Sequence, residues 1–261
     1  MKLTWQTLSS DSLLLCQFMV NYELRQGNYI VGLDSQDNII AAGVLFEQTK
    51  GQAQVDVVVA PDFRQQGIGS ELVRQLTEQA LTKKLHRLIA HSVAPFWLSL
   101  GFVKVTDNVF ARLLDCAASE LVDMWHQGIP MTQFMGLEIT SFSPSRLSTS
   151  AKMESCINVH QSMFAGAIYS QAVLTGWGLL HLAMVRYDLK GSIVLANGEV
   201  KYRRPLVSDP CGVVEQSLTI DDFAELAAGK KCSIELNVSM REGKSDQNCA
   251  TFFGRYVIIP S

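Results

Sequence analysis

The chain has 261 residues, 48% hydrophobic and 18% charged, with only seven prolines, which is enough apolar material for two packed cores and too ordered a composition for a disordered chain. A formal net charge of −3 excludes the global basic field that nucleic acid or an anionic membrane would require, so any phosphate site has to be built locally. The six cysteines (Cys16, Cys116, Cys156, Cys211, Cys232 and Cys249) are scattered, with no CxxC pair and no histidine at zinc-ligand spacing, so they read as reduced thiols, and neither a disulfide framework nor a metal is expected.

The first stretch, MKLTWQTLSSDSLLLCQFMV, lacks a sustained apolar run and a small-residue cleavage site. It does not read as a secretory signal, and the expected location is cytoplasmic. YIVGLDSQDNIIAAGVLFEQ (29–48) places a polar cluster between two β-type runs and reads as a hairpin. QAQVDVVVAP (52–61) is a β-branched strand stopped by Pro61. In GSELVRQLTEQALTKK (69–84), Leu72, Val73, Leu76, Ala80 and Leu81 recur at helical spacing opposite Glu71, Arg74, Gln75, Glu78 and Gln79, so an amphipathic helix follows the strand. The polar segment DCAASE (115–120) marks a change of pattern and a domain junction. Beyond it, Ala165–Val185 carries no formal charge over a span long enough to cross a bilayer, but its Ser170, Gln171, Thr175, His181 and glycines favour a helix buried in protein. KCSIELNVSMR (231–241) alternates apolar and polar residues, and SIVLANGEVKYRRPL (192–206) and QNCATFFGRYVII (247–259) are further strands. The second half therefore reads as an antiparallel sheet around one apolar helix.

Between the strand and helix of the first half, Arg64-Gln65-Gln66-Gly67-Ile68-Gly69-Ser70 forms a glycine-bearing turn. Glycines there let the backbone approach a ligand, and free N–H groups at a helix start suit a pyrophosphate. Together with the later FWLSLGF, this turn resembles the GNAT acetyltransferase family over residues 1–114: Arg64, Gly67 and Gly69 match the family turn, and Gly101-Phe102 the end of its late helix. The resemblance implies an α/β GNAT fold with a mixed sheet, acetyl-CoA or CoA as substrate, pairing of Val57, Val58 and Val59 with the pantetheine arm, and a pyrophosphate held by the amides from Gln65 to Ser70. Lys83, Lys84 and Arg87 are candidates for the CoA 3′-phosphate. Many members of the family have a tyrosine where Trp97 stands, and an indole N–H cannot protonate a departing thiolate as that hydroxyl does. Asp56 and His91 are candidate bases for an amine.

IPMTQFMGLEI (129–139), Asn158 ahead of FAGAI (164–168), GEVKYRRPL (198–206) and FFGRYVII (252–259) resemble the hotdog-fold thioesterases over residues 115–261, and more narrowly the hotdog domain fused behind a GNAT domain in bacterial bifunctional acetyltransferase/thioesterases. The resemblance implies a homo-oligomer formed through this domain, acyl-CoA or acyl carrier protein as partner, and a thioester carbonyl held at the helix start, here at Phe164, Ala165 and Gly166. Related thioesterases place a histidine at the position of Phe164 and an acid near Val173, and neither is present. Asn158, His160 and Ser162 are the candidate catalytic residues.

Hydrolysis needs an activated water and would have to borrow a base, His160. Decarboxylation of a malonyl thioester needs oxyanion donors and a desolvating pocket, and no base to begin. The expected activity is therefore malonyl-acyl-carrier-protein or malonyl-CoA decarboxylation to the acetyl thioester, feeding the start of fatty acid synthesis. The alternatives are an acyl-thioester hydrolase, and a GNAT enzyme carrying a non-catalytic dimerising module. Arg203 and Arg204, beside Tyr202 and Pro205, are positioned to meet a CoA phosphate or an acidic carrier protein.

Overall fold

The computed structural model describes residues 3–22, 24–243 and 247–261 and divides into two compact units, residues 1–116 and 117–261. The first unit contains β1 (Thr4–Ser9), α1 (Leu13–Phe18), β2 (Asn28–Leu33), β3 (Ile39–Thr49), β4 (Gln52–Val59), α2 (Ile68–Thr82), β5 (Arg87–His91), β6 (Val103–Thr106) and β7 (Val109–Leu113). The strands form a mixed seven-stranded sheet in the order β1-β2-β3-β4-β5-β7-β6. The β2–β3 hairpin is the one the sequence predicts. Its turn is fixed by Asp34, whose Oδ1 accepts the backbone N–H groups of Gln36 (2.8 Å) and Asn38 (3.0 Å), the local bonding that suits Asp to turns.

Only β4 and β5 run parallel, joined through α2. The helix buries Leu72, Val73, Leu76 and Ala80 in the core of this unit. Leu81, assigned to the same face from its spacing, is 40% exposed, and Thr77 is buried in its place with its hydroxyl donating to the Val73 carbonyl. The late helix expected before Gly101-Phe102 is a 3-10 turn of six residues, Pro95–Leu100. Pro95 opens the segment and the left-handed Gly101 (φ 80°) closes it, so it stays short.

The second unit contains α3 (Cys116–Gly128), α4 (Pro130–Met135), β8 (Glu138–Ser143), β9 (Arg146–Ser150), α5 (Met153–Cys156), α6 (Ala165–Tyr187), β10 (Ser192–Tyr202), β11 (Pro210–Glu215), α7 (Ala224–Ala227), β12 (Cys232–Glu242) and β13 (Asn248–Ile259). The boundary between the two units falls within the DCAASE segment, which turns helical at Cys116, with Ala117, Leu121, Val122 and Trp125 making a buried stripe. The six strands form an antiparallel sheet ordered β10-β13-β12-β11-β9-β8, packed on the long central α6. In β12, Ile234, Leu236, Val238 and Met240 face inward, as the alternation predicts.

By length and composition α6 is apolar enough to cross a membrane, yet 67% of its most apolar stretch is buried inside the protein. Gly178 allows its close approach to α3 and β9, since a Cβ there would stand 2.7 Å from Leu147 and 2.9 Å from Trp125. All six cysteines are free thiols. The fold is thus α/β with a mixed sheet in the first unit and a hotdog arrangement, antiparallel sheet around one helix, in the second.

Candidate functional site

The first site begins where β4 and β5 part. The two strands pair only from Gln52–Gln54 to Arg87–Ile89, whereas Val57, Val58 and Val59 stay paired to Gly43, Ala42 and Ala41 of β3, which leaves their opposite edge open. The chain then turns through Gln65 (φ 61°) and Gly67 (φ 78°), both left-handed, and α2 begins with Gly67 as an N-cap that has no side-chain cap bond. Among the described residues no protein acceptor meets the backbone N–H groups of residues 65–70. The first such bond runs from Glu71 N–H to the Gly67 carbonyl at 3.0 Å. Six adjacent free amides at the positive end of a 15-residue helix make an anion cradle.

A cleft of about 630 Å³ opens over this turn, lined by Val57, Val58, Val59, Arg64, Gln65, Gly67, Gly69 and Ser70. Arg64 also braces the turn, its Nε donating to the Val59 carbonyl at 3.1 Å. Two predicted residues lie off the cleft: the Gln66 side chain donates to the Asp62 carbonyl, and the Ile68 side chain is buried in the core, so each offers only its backbone amide. Lys83, Lys84 and Arg87 do not line the cleft. They lie beyond the far end of α2, roughly 20 Å from the turn at 1.5 Å per residue; Lys83 pairs with Glu47 at 2.9 Å, and Arg87, almost wholly buried, donates to Gln52 at 2.9 Å.

A second cavity of about 350 Å³ adjoins the cleft and shares Tyr22, Val57, Val58 and Trp97 with it. Asp56 and His91, the candidate bases, line it. Asp56 accepts both its bonds from Gln54 Nε2 (2.9 and 3.2 Å) and faces the Arg25 guanidinium at 3.7 Å. Trp97 is buried edge-to-face between Phe96 and Phe102. Tyr22, Arg25 and Gln54 carried no sequence signal, because they belong to no motif and reach the cavity only through the packing of α1 and the loop after it.

In the second unit, the turn ahead of α6 is tied by the Asn158 carboxamide. Its Oδ1 accepts from His160 N–H (2.8 Å), Ser162 N–H (3.3 Å) and Ser162 Oγ (3.3 Å), and its Nδ2 donates to Ser162 Oγ at 3.1 Å. Asn158 N–H donates to the Ser162 carbonyl and Phe164 N–H to Cys156, so α6 begins at a fixed place. The helix has no side-chain cap. Among the described residues no acceptor meets the N–H groups of Ala165, Gly166 or Ala167.

A pocket of about 340 Å³ lies beside this turn, lined by Asn158, Ser162, Ala165, Tyr202, Arg203 and Arg204 among others. His160, Phe164 and Gly166 do not line it. His160 is exposed, and the Phe164 ring, 57% exposed, lies so close over Gly166 that a Cβ there would stand 2.4 Å from it. Tyr202 Oη donates to the Ala165 carbonyl at 3.0 Å, and Arg204 to Gln247 at 2.5 Å. Val173, near which the resemblance would put an acid, offers its carbonyl to Tyr256 Oη. Gln171 and Thr175 are fully buried: Gln171 Nε2 reaches Thr149 and the Pro210 carbonyl at 3.3 Å, and Thr175 Oγ1 meets Thr149 Oγ1 at 2.7 Å. Neither reaches the pocket.

The first unit thus presents an amide cradle beside a splayed strand, and the hotdog unit an open helix start. The chain belongs to the family described as "Putative thioesterase (yiiD_Cterm)", whose model matches residues 118–260; residues 3–102 match the acetyltransferase (GNAT) family. The second unit is similar to a crystal structure described as a "putative thioesterase" from Shewanella oneidensis, with 34% identity, a TM-score of 0.53, and coverage of 56% of this chain and 100% of that one. It also has the fold of a protein of unknown function from Chlorobaculum tepidum TLS, with 24% identity, a TM-score of 0.53, and coverage of 56% and 96%.

Proposed function

We propose that residues 1–114 bind acetyl-CoA and transfer its acetyl group, and that residues 115–261 decarboxylate a malonyl thioester, on CoA or on a carrier protein, to the acetyl thioester in the cytoplasm. In the first domain, Val57, Val58 and Val59 take the pantetheine arm along the open edge of β4, and the amides of residues 65–70 take the pyrophosphate.

In the second, the reading is carried by one observation: among the described residues neither carboxylate nor imidazole lines the pocket at the start of α6, while donors do. The malonyl C–CO₂ bond breaks, its electrons pass to the thioester oxygen as an enolate, and solvent returns a proton to the carbon. Asn158 Nδ2, through the N–H that its bond to Ser162 leaves over, and the amide of Ala165 are the donors for that oxygen, and Arg203 and Arg204 hold the phosphate of the pantetheine arm. Hydrolysis is favoured instead by the family description, and requires His160 to enter the pocket.

The hotdog unit also leaves β10, 11 residues long, as an edge strand, and exposes Val159 (88%) and Phe164 (57%) on the turn. A second copy covering these surfaces makes a homodimer. With malonyl-CoA and the full chain, CO₂ release without free thiol is the expected result, and stoichiometric free thiol refutes the reading.

A further inference from the structure

Trp97 leaves the first unit without the hydroxyl its fold places there, and the structure assigns that task to Tyr22. The inference rests on the reading of residues 1–114 as an acetyl-CoA-dependent transferase. The thioester at the end of a pantetheine arm lying along Val57–Val59 has to stand where the 630 Å³ cleft meets the 350 Å³ cavity, since the acceptor nitrogen arrives from the second of these.

Among the described residues, four side chains belong to both: Tyr22, Val57, Val58 and Trp97. The valines carry no proton to give, and an indole N–H is not an acid in this range. Tyr22 carries a phenol O–H, a donor able to pass a proton to a departing thiolate. Tyr29, the other phenol of the cavity, is already committed, bonded at Oη to the N–H (3.0 Å) and carbonyl (3.2 Å) of Arg25.

The amine attacks the thioester carbonyl, the C–N bond forms and the C–S bond breaks. The departing thiolate takes the Tyr22 proton. The nitrogen loses its proton to His91, because the Asp56 carboxylate is already held by Gln54 and Arg25. Tyr22 is then reprotonated from His91 through solvent, so no external acid is consumed.

The test uses the full chain with acetyl-CoA and a panel of primary amines (a monoamine, a diamine, a polyamine and α-amino acids), scoring acetylated amine by mass so that thioester hydrolysis does not interfere. Tyr22→Phe keeps the ring that packs on Phe18 and is expected to lower kcat by about 10²-fold, the low end for a lost general acid, with acetyl-CoA affinity unchanged. Trp97→Tyr in the Tyr22→Phe background is expected to restore at least part of the rate, which a merely structural role for Tyr22 does not predict. Unchanged kcat in Tyr22→Phe, or a wild type that binds acetyl-CoA yet acetylates no amine, overturns the assignment of Tyr22. Failure of the wild type to bind acetyl-CoA overturns the transferase reading as well.

Discussion

Asn158 does two things with one carboxamide. Its oxygen holds the turn together through His160 and Ser162, and its side chain is a proposed donor at the pocket that Asn158 lines, so alanine would remove both. Asn158→Asp separates them: the acceptor bonds survive, while the donor is lost and a negative charge faces a developing oxyanion. The variant should melt within a few degrees of the wild type and lose about 10²–10³-fold in malonyl turnover, the usual cost of one oxyanion donor; thermal denaturation and rates on one preparation check both halves. The turn held by Asn158 and the glycine turn of residues 64–70 were legible in the sequence because backbone geometry demands particular residue types at fixed spacing there; their roles in chemistry are proposals. Tyr22 was not, since its place depends on where a short helix packs and on no local rule.

Helix α6 was legible from its uncharged run, and β12 from its alternation, because burial imposes those patterns directly. The splay of β4 from β5 was not, since no residue pattern within the strands marks where their pairing stops. At this scale the structure makes two stability predictions. Gly178→Ala puts a methyl against Leu147 and Trp125, both under 2% exposed, and overpacking there should cost about 1–3 kcal/mol, read as a lower denaturation midpoint.

His181, stacked on Trp177 at 5.1 Å, has its pKa pushed below the ordinary 6.5 by burial. The folded state therefore binds fewer protons than the unfolded state below that pH, so the contribution is intact above about pH 6.5 and is lost as the pH falls. Melting temperatures between about pH 7.5 and 5.5 should fall less steeply for His181→Gln than for the wild type; parallel slopes would remove His181 from the acid response.

For the whole molecule, an acetyltransferase-family match and a thioesterase-family match lie in one chain, and the account makes the second unit a source of acetyl thioester. The unpaired edge of β10 and the exposed apolar turn predict a homodimer in solution, so light scattering should return twice the chain mass, and a monomer at micromolar concentration would contradict that packing. Central to the account is that the second unit breaks a C–C bond and leaves the thioester whole. Wild-type protein incubated with malonyl-carrier protein, its acyl group weighed intact by mass spectrometry, tests this most directly: conversion of malonyl to acetyl on an unbroken thioester is the predicted result, and conversion of the carrier protein to its free thiol with release of malonate would contradict it.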